Sequence, residues 1–194
     1  MPPDPLSPRV PARDRLLSAA AALFYDHGIA GTGIDAVVAR AGVAKKSLYN
    51  NFESKADLVA QYLDARHAEW LALHDARASQ ARTPQARVLA VFDAYRDHAE
   101  SAYEHGFRGC GLLNAAAELP ADHPGRDTVR RHKEQVEALI EDALRDLTTP
   151  DRAAALARQM AFLLEGAITR AGLERDSRCV SQAREMAETL MGAA

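Results

Sequence analysis

The chain has 194 residues, of which 47% are hydrophobic and 26% charged, and its formal net charge is −3. That composition supports a sizeable core, and the acidic total speaks against a protein that coats nucleic acid through bulk charge. The longer apolar stretches, such as residues 16–24, are amphipathic and too short to cross a bilayer. Residues 1–11 are rich in proline and lack an apolar segment, so they read as a disordered arm rather than a signal peptide. Cys110 and Cys179 show neither CxxC nor disulfide-framework spacing, which suits a reducing, cytoplasmic setting.

Taken in chain order, nearly everything reads as helix. Leu16, Leu17, Ala20, Leu23, Phe24 and His27 form one face of a first helix that Gly28 stops. Thr32 is expected to cap a short second helix with Ile34, Val37, Val38 and Ala41 on one side, broken by Gly42. A third short helix is expected over about 44–50, with Leu48 and Phe52 turned inward. Ser54 and Asp57 resemble a capping box for a long fourth helix that reaches about Ser79.

The same punctuation continues beyond it. Thr83-Pro84 opens a helix carrying Val88, Phe92, Tyr95, Ala99 and Ala102, and a glycine-containing loop over 105–111 leads to a short apolar helix over 112–119. Pro120 and Pro124 bracket a turn before a helix with Val129, Val136, Leu139, Ile140 and Leu144. Thr149-Pro150 opens another to about Ala171, and a last helix covers 179–191. Nine helices joined by short loops predict an all-α chain.

Charge is concentrated in one place. Three of the four lysines, Lys45, Lys46 and Lys55, lie within residues 40–55 together with Arg40, against Glu53 alone. A basic spot on an acidic chain points to a small, defined anionic target. The second and third helices are too short to pack as an ordinary pair, but they make sense as a helix-turn-helix resting on the first helix, with Gly42 supplying the left-handed turn residue. In such a unit the start of the third helix projects into the major groove. There it would place Lys45, Lys46 and Ser47 at base edges, with Tyr49 and Lys55 at the phosphates on either side.

Residues 13–58 resemble the TetR family of regulators. The match is carried by Ala19-Ala20, Leu23-Phe24, Gly28, Thr32, Ala41-Gly42-Val43, Leu48-Tyr49, Phe52, Lys55 and Leu58. Two positions depart from the family pattern: Asn51 stands where histidine is frequent, and Val38 where a small residue is usual. The resemblance implies a helix-turn-helix domain over 12–58, a helical ligand-binding and dimerisation domain over 59–194, and Thr32, Tyr49 and Lys55 as phosphate contacts. It also implies a dimer formed by the last two long helices and an effector pocket enclosed by helices four to seven.

Other signals are weaker. Trp70, Tyr95, Tyr103 and Asn114 are expected to contact a mostly apolar effector, although core packing alone would account for the aromatics. Asn114 and Glu118 share one side of an apolar helix. Cys110, between two glycines and near Arg108, is a candidate redox-sensing thiol. His67 and His74 lack the partners of a metal site, and no metal or cofactor is expected. Neither a catalytic triad nor a glycine-rich phosphate loop is present. The expected protein is a homodimeric repressor, released from a palindromic DNA operator by a small molecule. An activator of the same architecture is the alternative, and a helical enzyme a distant one.

Overall fold

A computed structural model describes residues 10–192, so residues 1–9 of the expected N-terminal arm lie outside the described residues. Among the described residues the secondary structure is nine helices and no strand: α1 Ala12–His27, α2 Ile34–Ala41, α3 Lys45–Asn51, α4 Lys55–Ala78, α5 Pro84–Glu100, α6 Gly111–Glu118, α7 Pro124–Leu144, α8 Pro150–Glu174 and α9 Arg178–Gly192. They divide into two units, the first ending at Tyr62 and the second beginning at Leu63. The sequence reading ended the first at Leu58; the chain carries it further because Tyr62 is buried with its ring edge-on to Phe24, 5.4 Å between centroids.

In the first unit Leu16, Ala20 and Phe24 repeat every four residues along α1 and form its buried stripe, and His27 lies outside it. Val37 from α2, Leu48 from α3, Phe52 and Leu58 complete the core. The turn between α2 and α3 depends on Gly42, which adopts φ +61°. The Arg15 guanidinium donates to the carbonyls of Ala41 (2.5 Å) and Gly42 (2.8 Å), groups that the end of α2 leaves without helical partners. A β-carbon at Gly42 would stand 2.9 Å from that guanidinium. Gly42→Ala therefore combines left-handed strain with displacement of Arg15 and is expected to destabilise the unit by about 1–2 kcal/mol, measurable as a lowered denaturation midpoint.

Thr32 does not cap α2. Gly33, in an extended conformation, is the capping residue, and Thr32 is only 2% exposed. Its hydroxyl donates toward the carbonyls of Gly28 (2.7 Å) and Leu23 (3.2 Å), closing the end of α1 instead. The start of α4 follows the expected device more closely. The Asp57 N–H donates to Ser54 Oγ (3.1 Å), and the Asp57 carboxylate accepts from the Glu53 N–H (2.9 Å).

The second unit is organised around α5, which packs against α7, α8 and α9. Thr83 Oγ1 accepts from the Ala86 N–H (3.1 Å), and Pro84 occupies the first turn, where its missing N–H costs nothing. Val88 to Phe92, Ala94, Tyr95 and His98 are all buried, so α5 is covered on most sides rather than along one stripe. Ala102 lies beyond its end. α8 extends past Ala171 to Glu174 and is closed by Arg175 at φ +56°. Gly172 lies inside that helix for a packing reason: a β-carbon there would meet the Gly109 nitrogen at 2.4 Å.

Candidate nucleic-acid interface

α3 is a short helix fixed from beneath and polar above. Leu48 and Phe52 are buried in the first unit, while Lys46, Tyr49 and Asn50 are exposed and share one face at spacings of three and four residues. Tyr49 is 55% exposed, a cost that packing gives no reason to accept. Ser47 is half-buried and its carbonyl accepts from the Asn51 amide (2.7 Å), so Asn51 folds back on its own helix. Lys45 is exposed and paired with Asp35 of α2, Nζ to Oδ1 2.7 Å.

The remaining expected phosphate contacts differ from one another. Lys55 is half-buried and donates to the Ile29 carbonyl (2.7 Å), leaving two of its three ammonium protons for another acceptor. Thr32 is turned inward, so its side chain does not belong to the exposed face. Sequence reasoning passed over Asn50, although its i, i+4 relation to Lys46 was available, and over Arg15 and Asp35, whose partners come from other helices.

The four expected effector residues have different neighbours in the second unit. Trp70 and Tyr95 are buried against each other, 5.1 Å between ring centroids. Tyr103 packs on His98 and Phe107, at 5.9 and 5.5 Å. Asn114 donates to the Arg108 carbonyl (3.1 Å) and borders a groove of about 470 Å³ with Phe107, Cys110, Thr169 and Arg175. Glu118 is exposed, so the apolar α6 buries no carboxylate there.

The residue missed in this region is Lys133. Its ammonium lies 2.9 Å from Glu165, 3.2 Å from the Tyr95 hydroxyl and 3.6 Å from the Cys110 sulfur. Burial would lower its pKa, but the thiol, the hydroxyl and the carboxylate outweigh that and hold it above the ordinary lysine value. Burial likewise pushes the Tyr95 hydroxyl up, so it stays neutral. The group that Cys110 meets is therefore Lys133, with Arg108 exposed. The sequence did carry a clue, since Val129, Lys133, Val136 and Ile140 follow helical spacing and set the lysine within a buried stripe.

Two buried histidines adjoin this group. Burial, with Arg66 and Lys133 adding repulsion, takes His98 down to about 4. Burial, followed by Lys133, His67 and His98, takes His132 down to about 3. His67 and His132 place their Nδ1 atoms 2.8 Å apart, so one ring donates and the other accepts. His67 thus pairs with α7 rather than with His74, which stacks on Trp70. Trp70 Nε1 and Glu165 Oε2 are buried polar atoms without a hydrogen-bond partner among the described residues.

Two short helices joined through a left-handed glycine, held on a third and presenting a polar face, define a helix-turn-helix DNA-binding unit. Comparison with known families agrees. Residues 16–62 match the model for bacterial regulatory proteins of the tetR family, and residues 84–187 match the tetracyclin repressor-like C-terminal domain. The chain belongs to the TetR family of bacterial regulatory proteins.

Over 137 residues it is 31% identical to the HTH-type transcriptional repressor KstR2 of Mycolicibacterium smegmatis, covering 70% of this chain and 64% of that protein. Over 107 residues it is 36% identical to the HTH-type transcriptional activator FasR of the same species, covering 55% of this chain and 47% of that one. The matches thus span from about half to just under two thirds of these curated relatives. A TetR-family transcriptional regulator from Streptomyces coelicolor superposes with a TM-score of 0.86 at 30% identity, covering 94% of this chain and 95% of that one.

Proposed function

We propose that the protein is a homodimeric repressor that binds a palindromic operator through α3 and is released by a small-molecule effector. The observation that carries this reading is the exposed face of Lys46, Tyr49 and Asn50 on a helix fixed by buried Leu48 and Phe52. A rigid helix with long polar side chains on one face suits the major groove. Lys46 and Ser47 approach base edges, and Tyr49 and Lys55 contact phosphates; Thr32 shapes the unit from within. Repression is favoured over activation because the match to the repressor spans more of this chain than the match to the activator. The protein acts by binding, in the cytoplasm, without turnover.

Self-association is supported by apolar surface on the last two helices. Leu156, Met160, Leu164 and Ile168 of α8 belong to the unit's own core, whereas Phe162 is 66% and Leu173 80% exposed. Phe162, Gly166, Ala183 and Met186 border a groove between α8 and α9 of about 510 Å³. A second copy would cover this face and repeat α3 on the other side of a two-fold axis. Sedimentation is expected to show a dimer at micromolar concentration and a shift to monomer for Phe162→Glu. A wild-type monomer at that concentration would contradict the dimer.

The effector is assigned to the neighbourhood of Trp70, Tyr95 and Lys133, where Trp70 Nε1 offers a donor and Glu165 Oε2 an acceptor. The candidate redox thiol Cys110 adjoins Lys133, Asn114 borders the groove beside Cys110, and Tyr103 packs on His98. Trp70 is the only tryptophan in the chain, so its fluorescence reports on the site directly. α4 runs from Lys55 to Ala78 and carries residues of both units.

The recognition face is tested by Lys46→Ala. Operator affinity is expected to fall, and the slope of log affinity against log salt to shrink by about 1 where the lost contact is to phosphate. Unchanged affinity and slope would remove α3 as the recognition helix.

A further inference from the structure

Lys45 and Asp35 lie on different helices of the DNA-binding unit, and their side chains are 54% and 81% exposed, with Nζ and Oδ1 2.7 Å apart. Asp35 stands in the first turn of α2, where the helix dipole favours a carboxylate, so its position is set by α2 itself. Lys45 is the first residue of α3, and its ammonium reaches back across the turn to that carboxylate. Along α3, Tyr49 acts on Lys45 in the same direction as Asp35.

We infer that Asp35 is a specificity-determining residue: it holds Lys45 in a neutral pair, removes one cation from the DNA-facing surface, and leaves Lys46, Tyr49 and Asn50 to read the operator. This rests on the reading that α3 enters the groove. An exposed ion pair of this kind is weak, and even a weak one keeps the local charge balanced. A lysine that leaves Asp35 for a phosphate exposes a carboxylate to the same negative field, so the exchange gains no net positive charge. Salt-dependent affinity counts cations that neutralise phosphates, and this pair contributes none. Affinity shared by all sequences is thereby kept down, while contacts that depend on sequence are unaffected.

The experiment measures affinity against salt concentration for the full-length protein, on random-sequence duplex and on a selected operator. Wild type is compared with Asp35→Asn, Asp35→Asn/Lys45→Met and Lys46→Met, with melting curves to confirm folding. Asp35→Asn is expected to bind random DNA more tightly and steepen the log–log slope by about 0.9 per protomer. Between about 50 and 200 mM salt that is an extra three- to fourfold loss of affinity for each freed lysine. Preference for the operator over random DNA should fall, and the double variant should return to the wild-type slope.

A wild-type slope in Asp35→Asn overturns the inference. So does a slope that stays steep in the double variant, since the added cation would then not be Lys45. Lys46→Met distinguishes the recognition face from the role of Asp35. If it weakens operator binding while Asp35→Asn does nothing, only the role of Asp35 fails; if it leaves operator binding intact, the recognition face fails and this inference falls with it.

Discussion

Truncating Phe52 to alanine is expected to cost the DNA-binding unit about 3–5 kcal/mol and to abolish operator binding at physiological temperature. Phe52 is 1% exposed and follows directly after α3, where its N–H donates to the Leu48 carbonyl (2.8 Å). The Arg13 guanidinium lies 5.9 Å from its ring centroid, so the ring is held between α1 and the end of α3. A unit this small has little stability in reserve, and losing one large core residue is enough to unfold it. The measurement is a chemical denaturation curve of the full chain, with DNA binding read in parallel. Tyr49→Phe is the matched comparison, because it removes an exposed hydroxyl and should weaken DNA binding while leaving the curve in place. A Phe52→Ala protein that keeps both its stability and its DNA affinity would show that α3 is not held from beneath.

The second large effect is acid destabilisation of the other unit. His98 and His132 are buried and neutral, with values near 4 and 3 against an ordinary 6.5. As pH falls below 6.5 the unfolded chain takes up these two protons and the fold does not, so stability is present in full above that value and drains toward pH 4 and then 3. At pH 5 each histidine costs about 2 kcal/mol, on the order of 4 kcal/mol together. Thermal melts between pH 7 and pH 5 are expected to show a steep loss in the wild type and a much shallower one in His98→Asn/His132→Asn. Parallel curves for the two proteins would contradict the assignment.

Much of the helix-turn-helix was legible because its signals are local. Gly42 in a left-handed turn, the inward pair Leu48 and Phe52, and the four-residue repeat of α1 each follow from backbone sterics or periodicity within a few residues. Thr32 was misread because a hydroxyl can serve either the helix that follows or the one that precedes, and here it closes α1. Arg175 ends α8 in a conformation that glycine usually takes, so the end expected at about Ala171 falls too early, and Gly172 serves close packing inside the helix. Lys133 was hidden for a different reason. Its place in an apolar stripe was readable, but the groups that make burial tolerable, Glu165, Tyr95 and Cys110, come from distant parts of the chain. The pairing of Asp35 with Lys45 also depends on how two helices meet, which neither helix encodes alone.

A dimer that reads a two-fold DNA site with the exposed face of α3 would select that site from random sequence. The most direct measurement is selection of bound sequences from a random DNA pool by the wild-type protein and by a Lys46→Met/Tyr49→Phe variant. The wild type is expected to enrich a palindrome whose half-sites lie about one helical turn apart, or a small multiple of it, and the variant to lose or alter that preference while keeping its fold. Enrichment of no sequence, or of the same sequence to the same degree by both proteins, would contradict the account.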